Sequence, residues 1–244
     1  MQKILGCIRK AVQLYNLIEN GDRIAVAISG GKDSLVMLQG LAEFKRFAGI
    51  DYSLTAVTID PCFDGAAGDY SLVRGMCERL DIPYIVEKTD IAKIVFDIRK
   101  EKNPCSLCAK MRRGALHELA KSLGCNKLAL GHNNDDVVET FIMNLFREGR
   151  IACFAPKSYL TRRDLTVIRP LCLASEALVR AAAKHEHMEI VKSKCPADKH
   201  TKRQEAKDWL YAREREDKGF IIRLFGAMHR ADINGWGFPE DKKH

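Results

Sequence analysis

The stretch IAVAISGGKDS, from Ile24 to Ser34, joins an apolar run to a pair of glycines and a short polar segment. The run Ile24 to Ile28 predicts a buried β-strand. Gly30 and Gly31 have no side chains, so backbone N–H groups can approach an anion there, and a helix N-terminus is predicted directly behind them. The stretch therefore predicts a strand, a phosphate-binding loop and a helix in succession.

The polar side chains of this loop suit a polyphosphate. Lys32 would neutralise phosphate charge, Ser29 and Ser34 would donate hydrogen bonds, and Asp33 beside phosphates is best explained by a bridging Mg²⁺ ion. The loop is not a Walker loop, because Val26 stands where that loop has its first glycine, and it has no G-x-G-x-x-G pattern. Helix capping alone would explain one polar residue and leave the glycine pair and the lysine unexplained.

Strands and helices alternate along the chain. Strands are predicted at residues 24–28, 54–59, 84–86, 127–130 and 167–168, and helices at 3–18, 35–47, 70–80, 106–123 and 135–146. This βαβ alternation predicts an α/β fold with a parallel sheet of five strands flanked by helices. We divide the chain into an N-terminal helix (1–20), an α/β domain that carries the phosphate-binding loop (21–175) and a helical C-terminal segment (176–244).

The composition favours a polyanionic partner, although a well-solvated surface is the alternative. The 40 Lys and Arg residues outnumber the 32 Asp and Glu residues, which gives a net charge of +8. There is no apolar run of the roughly 20 residues that a spanning helix needs, and no signal-peptide pattern. We therefore expect a cytoplasmic protein without a membrane partner, and a homodimer stays open.

Three of the nine cysteines form a pattern of their own. Cys105 and Cys108 form a C-x-x-C motif at a predicted helix start, where thiols are readily deprotonated, and Arg112 follows one turn later. Cys195 is the best third cysteine. From the residues alone, four alternatives are open: a 4Fe-4S cluster with one free iron position, a zinc site completed by His200 or another residue, persulfide carriers without metal, and packed thiols.

A second polar segment follows the strand at 127–130. Gly131 and His132 end that strand and Asp135 and Asp136 open the next helix, so they are predicted at the same sheet edge as the phosphate loop. Gly131 would allow close approach, and His132 could contact a phosphate or ribose. One aspartate could hold Mg²⁺ or act as a general base while the other caps the helix. An ordinary loop histidine and pure helix capping are the competing interpretations.

The hexapeptide Ser29 to Ser34 resembles the signature of the pyrophosphatase-loop family, whose members cleave ATP between the α and β phosphates to adenylate a substrate. Within it, the chain resembles the tRNA 2-thiocytidine synthetase family. The resemblance spans roughly residues 5–229 and rests on the C-x-x-C motif followed by two arginines and on Cys195. Further matches are residues 130–136 with 139–140, 144–149, 168–171 and 203–204. The sequence departs from the family at Cys195, which lacks a second C-x-x-C, and at Asn133, where a histidine is usual.

The resemblance implies an adenine-nucleotide alpha-hydrolase-like fold and an oxygen-sensitive 4Fe-4S cluster on Cys105, Cys108 and Cys195. It implies adenylation of the C2 oxygen of a pyrimidine in tRNA, most simply cytidine 32, followed by replacement with sulfur from a cysteine desulfurase or inorganic sulfide. Lys32 and Asp33 would then be catalytic together with Asp136 and the paired cysteines. Competing functions are uridine thiolation, a lysidine-type ligase without a cluster, and a non-catalytic metal- or RNA-binding module.

Basic side chains are the expected contacts for tRNA phosphates, with solvated surface charge as the alternative for each one. The candidates are Arg112, Arg113, Lys157, Arg162, Arg163 and Lys202.

Overall fold

Six strands form one sheet in the computed structural model. They are β1 (Asp22–Ala27), β2 (Tyr52–Asp60), β3 (Tyr84–Lys88), β4 (Lys127–Ala129), β5 (Lys157–Leu160) and β6 (Leu165–Ile168). Their order across the sheet is β3-β2-β1-β4-β6-β5. The structure describes residues 1–100, 104–191, 195 and 202–237, without the side chains of Asp64 and Lys202.

Five of the strands are parallel, as predicted, and β5 is an antiparallel edge strand that the sequence did not reveal. β5 is a run of four residues that pairs only with β6, and none of its residues is fully buried. A strand this short and this exposed has no hydrophobic pattern that separates it from a loop.

The described residues contain eight α-helices. They are α1 (Gln2–Tyr15), α2 (Lys32–Lys45), α3 (Ser71–Arg79), α4 (Pro104–Ser122), α5 (Asn134–Glu148), α6 (Glu176–His185), α7 (Lys202–Glu216) and α8 (Phe220–Arg230). A π-helical turn at Lys93–Ile98 was not predicted. No helix in these parts of the chain is long and apolar enough to cross a membrane.

Helices cover both faces of the central strands. Ile24, Ala25 and Val26 of β1 are all 0% exposed, as is typical of a parallel strand buried on both sides. The apolar positions of α2, including Leu35 and Leu38, belong to the same core. This burial explains why an uninterrupted apolar run precedes the glycine pair.

The chain reverses its direction of travel across the sheet between β1 and β4. β2 and β3 lie on one side of β1, whereas β4, β6 and β5 lie on the other. The loops that follow β1 and β4 therefore leave the same edge in opposite directions and open a crevice between them. In open parallel sheets this is the place where ligands bind.

Candidate functional site

The phosphate loop connects β1 directly to α2. Its side chains bond to its own backbone: the Ser34 hydroxyl donates to the Gly31 carbonyl at 2.9 Å and accepts from the Ser29 N–H at 3.2 Å. Gly31 is the N-cap of α2 and makes no side-chain cap bond. The loop is thus held in place before any ligand arrives, with an uncapped helix N-terminus behind it.

Gly30 is a position that only glycine fits. Its φ is +80°, and an added Cβ would lie 2.6 Å from the Cβ of Val191. The Val191 N–H donates to the Gly30 carbonyl at 3.0 Å, so the segment after α6 rests directly on the loop. A side chain at residue 30 would be strained and would also displace that segment.

Acidic and basic side chains line a cleft of about 200 Å³ beside this loop. Its lining residues are Lys32, Asp33, Asn133, Asp136, Glu139, Glu176, Arg203, Gln204 and Lys207. They come from the N-terminal turns of α2, α5, α6 and α7. The structure therefore brings Lys32, Asp33 and Asp136 together, as predicted for one edge of the sheet.

Lys32 sits between two carboxylates in this cleft. Its Nζ lies 2.8 Å from Asp33 Oδ2 and 3.1 Å from Glu176 Oε1. Partial burial disfavours its charge, but the two carboxylates outweigh that effect and raise the pKa of Lys32. The lysine therefore stays cationic and available to phosphates.

Asn133 joins the two loops. Its side-chain Nδ2 donates to Asp33 Oδ1 at 2.9 Å, and its side-chain Oδ1 accepts from the Asp136 backbone N–H at 3.1 Å. The Asn133 backbone N–H donates in turn to Asp136 Oδ2 at 2.8 Å, which completes a capping box on α5. A Cβ on Gly131 would lie 3.2 Å from backbone atoms of Asp33 and Ser34, so the close approach expected there is present.

The two neighbouring aspartates have different environments. Asp135 is 8% exposed and accepts the Glu176 N–H at 2.7 Å, so it anchors the start of α6. Asp136 lines the cleft, where burial raises its pKa to about 6; Arg203 opposes this shift, and the carboxylates of Glu139 and Asp33 reinforce it. Both aspartates bond to helix N-termini, but only Asp136 among them lines the cleft.

Helix α7 supplies the cations that balance the carboxylates. Arg203 pairs with Asp136 and, through Nε, with Glu139 at 2.9 Å. Lys207 donates to Glu176 at 2.7 Å. Glu176 is buried, which favours its neutral form, yet hydrogen bonds from Lys207, Tyr211 and Lys32 together with the Lys32 charge lower its pKa to about 2.

Sequence reasoning assigned no role to Glu139, Glu176, Lys207 or Tyr211. Residue 139 lies in one of the quoted motifs, yet no spacing rule links it to residues 203 and 207, which are more than 60 positions away. These contacts exist only because α5 and α7 pack together.

A larger cavity of about 580 Å³ opens on the other side of the phosphate loop. Among its lining residues are Ser29, Asp60, Phe63, Tyr70, Arg112 and Val191. Asp60 ends β2 and accepts the N–H groups of Cys62 at 2.9 Å and Gly68 at 2.7 Å, which shapes the loop that forms one wall. Aromatic and aliphatic walls beside a phosphate loop suit a flat ring with a phosphate tail.

The paired cysteines start α4, the helix whose Arg112 lines this cavity. Cys108 is buried against Ile59, Ile91 and Val95, and burial raises its pKa; Arg112 opposes that shift, while Cys195 and Cys105 add to it. The expectation of a readily deprotonated thiol is therefore wrong for Cys108. The third cysteine, Cys195, is close enough to Cys108 to act on it electrostatically.

A preformed metal cage is absent from the described ranges, where no three His, Cys, Asp or Glu side chains are grouped so as to hold an ion. His200, the proposed fourth zinc ligand, lies outside the described residues.

The basic candidates for tRNA contacts are spread over two edges. Arg112 lines the cavity beside the loop, and Arg113 is exposed one residue later. Arg162 and Arg163 occupy the turn before β6, where Asp164 bonds to Lys121 near the C-terminal end of α4. They are therefore at the opposite edge from the loop. Lys157 bonds to the Asn16 carbonyl at 2.6 Å, and the side chain of Lys202 is outside the described part of the structure.

Comparison with known proteins gives concordant results. The family model for the PP-loop domain matches residues 5–212. The tRNA-cytidine(32) 2-sulfurtransferase of Syntrophotalea carbinolica is 41% identical over 198 residues, which is 81% of this chain and 76% of that protein. The protein with the same name from Geobacter sulfurreducens is 37% identical over 235 residues, or 93% of this chain and 90% of that one.

Among solved structures, the chain is similar to the U34-tRNA thiolase NcsA from Methanococcus maripaludis, described with its 4Fe-4S cluster. The TM-score is 0.74 at 24% identity, and the match covers 94% of this chain and 78% of that one. This likeness confirms the fold.

Proposed function

Because the chain belongs to the PP-loop family and, within it, to the tRNA-cytidine(32) 2-sulfurtransferases, we propose that it thiolates tRNA at the expense of ATP. The target is the C2 oxygen of a cytidine, which sulfur replaces. The observation that carries this proposal is that the phosphate loop lies between the carboxylate cleft and a cavity lined by Arg112, the electrostatic neighbour of Cys108.

ATP would bind with its phosphates on the loop and its adenosine in the 580 Å³ cavity. The backbone N–H groups of residues 29–31 and the N-terminus of α2 would face the phosphates. Lys32, which stays charged, would neutralise the pyrophosphate as it leaves. Release of pyrophosphate would leave the α-phosphate, as AMP, bonded to the substrate oxygen.

The carboxylate cleft fits a Mg²⁺ ion. Burial raises the pKa of Asp136, and the carboxylates of Glu139 and Asp33 add to the shift, so a bound cation would stabilise its charged form. Glu139 Oε1 is buried and accepts no hydrogen bond from the described residues, although Lys207 Nζ lies 3.7 Å from it. Asp33 and Asp136 would hold the ion, and it would stabilise charge on the phosphate oxygens. Asp135 is engaged by α6 and takes no part.

Three thiols would supply the ligands of a 4Fe-4S cluster after a local rearrangement, because they do not form a preformed cage. Cys105 and Cys108 share the first turn of α4, and Cys195 acts electrostatically on Cys108. When bound through three thiolates, such a cluster offers an open iron position that can hold an exogenous sulfur atom. A cationic Arg112 beside Cys108 would favour the thiolate form that ligation requires.

The chemistry follows from the poor leaving ability of a carbonyl oxygen. Attack of the cytidine C2 oxygen on the α-phosphate of ATP forms an O–P bond and breaks the bond to pyrophosphate. Attack of sulfide at C2 then forms the C–S bond, and the C–O bond breaks with departure of AMP. No net oxidation or reduction is needed, so the sulfur enters at the sulfide level.

Uridine thiolation and a cluster-free ligase are the competing reactions. The named relatives that are 37% and 41% identical are cytidine enzymes, whereas the likeness to the U34 thiolase concerns the fold. A lysidine-type ligase has no need for a C-x-x-C pair with a third cysteine that acts on it electrostatically. Cytidine is therefore the preferred base.

We expect anaerobically purified protein to convert cytidine to 2-thiocytidine in tRNA with Mg-ATP and sulfide. Mass spectrometry of digested tRNA would detect the product and separate it from 2-thiouridine. Lys32→Ala should abolish product while iron is retained, because it removes only the phosphate charge. Cys105→Ala should abolish both product and bound iron.

Cys125→Ala is the matched control, because Cys125 is buried in a separate apolar cluster with Leu128 and Val167. It should keep iron and activity. Thiolated product from Lys32→Ala at the wild-type rate, or iron retained by Cys105→Ala, would contradict the proposal.

A further inference from the structure

His132 occupies the junction between the two loops of the site. Its chain neighbours Gly131 and Asn133 both touch the first turn of α2. Its ring stacks on Phe154, with centroids 4.7 Å apart and planes at 30°. The residue as a whole keeps a minor part of its surface exposed.

Arg169 bonds to one edge of this ring. It follows β6 and is 8% exposed; its Nε donates to His132 Nδ1 at 3.3 Å, and its Nη1 donates to the Ala155 carbonyl at 2.6 Å. The guanidinium also lies 4.6 Å from the centroid of the Phe154 ring. The carbonyl and the ring hold Arg169 in one orientation.

This contact determines where the imidazole proton lies. A guanidinium has only donors, so His132 Nδ1 must accept and cannot carry a proton. Burial and the charges of Arg169, Arg203 and Arg113 lower the pKa of His132 to about 3, so the ring is neutral at physiological pH. The single proton is therefore on Nε2, for which the described residues provide no hydrogen-bond partner.

We propose that Arg169 is a positioning residue that fixes His132 as the Nε2-protonated tautomer, so that His132 donates a hydrogen bond to a phosphate oxygen of the bound substrates. His132 is then a donor and not a general base. That oxygen belongs either to ATP or to the tRNA backbone. The role of the donor rests on the proposed function, but the tautomer does not.

The tautomer can be measured directly in protein labelled with ¹⁵N-histidine. Two-bond ¹H–¹⁵N spectra should show His132 with a protonated Nε2 and an unprotonated Nδ1 throughout pH 5.5–8.5; the signal is assigned by its loss in His132→Gln. Arg169→Met should produce mixed tautomers and titration within that range, and Arg169→Lys should restore the wild-type pattern in part. A wild-type ring protonated on Nδ1, or titrating in this range, would overturn the proposal even if Arg169→Met does not fold.

Kinetics tests the donor. His132→Phe should lower thiolation by about 100-fold, the usual effect of losing one donor to a charged oxygen. His132→Gln should retain most activity, because the glutamine amide can replace Nε2–H. In His132→Phe, a rise in KM for ATP would assign the hydrogen bond from Nε2 to the nucleotide. A rise in Kd for tRNA would assign it to the RNA.

Equal activity in His132→Phe and wild type would refute the donor role. An inactive wild-type protein with the expected tautomer would instead refute the proposed function. The two failures are therefore distinguishable.

Discussion

Gly30 shows how one residue joins two parts of the site. Its φ of +80° and its contact with Val191 are independent reasons why a side chain is excluded. Substitution would therefore act on the loop and on the segment after α6 at the same time.

We expect Gly30→Ala to weaken ATP binding by at least about tenfold and to lower the free energy of unfolding by about 1–3 kcal/mol, the cost of a strained backbone. Titration calorimetry with a non-hydrolysable ATP analogue and urea unfolding would measure both. Gly6→Ala is the control, because a Cβ added at this position of α1 would meet open space. It should raise stability by about 0.5–1 kcal/mol through helix propensity. Unchanged nucleotide affinity in Gly30→Ala would contradict the role of the loop.

At the scale of elements, Glu176 ties three helices together. It belongs to α6 and contacts Lys32 of α2 and Lys207 and Tyr211 of α7. Its carboxylate is therefore a structural link between the phosphate loop and the C-terminal helices.

We expect Glu176→Gln to destabilise the protein by about 3 kcal/mol at pH 7, the value that corresponds to a carboxyl pKa lowered to about 2. The folded state favours the ionised form, so this stabilisation is complete above the pKa of the unfolded chain and is lost as the pH falls toward 2. The gap between wild type and variant should shrink over that range. Urea unfolding at several pH values would measure it.

Glu148→Gln, an exposed change on α5, should shift stability by less than about 0.5 kcal/mol. A gap for Glu176→Gln that stays constant down to pH 3 would show that the ionised carboxylate is not the source of the stabilisation.

The sequence predicted the elements whose signals are local. Four of the five parallel strands contain buried apolar residues, whereas β3 is partly exposed. The segment from Ser29 to Ser34 has a spacing that few other structures explain. Strand β5 and the π-helical turn lack such patterns. The partners of Arg203 and Lys207 and the bond between Arg169 and His132 depend on packing between distant segments, so no local pattern could reveal them.

At the scale of the whole molecule, the positively charged side chains differ in their distance from the candidate site, and we expect only those near it to contact tRNA. Arg113 is exposed beside the paired cysteines and the site. Lys45 ends α2, so it is about 20 Å from the phosphate loop by helix length. These two cations provide a matched test of where tRNA binds.

We expect Arg113→Gln to weaken tRNA binding and to reduce the slope of log Kd against log salt by about 1, because one phosphate contact is lost. Lys45→Gln should leave both unchanged. Fluorescence anisotropy with labelled tRNA between 50 and 300 mM KCl would measure the slopes. Identical slopes for the two variants would place the RNA elsewhere on the surface.

The backbone bond from Val191 to Gly30 also matters for protein engineering. Cys195 follows Val191 by only four positions, so this bond limits how far the third thiol can lie from the phosphate loop. To engineer the proposed reaction into another ATP-binding protein, one would therefore have to transfer the contact between Val191 and Gly30 together with the cysteines. Under the proposed function, a graft of the three thiols alone would lack the bond between Val191 and Gly30.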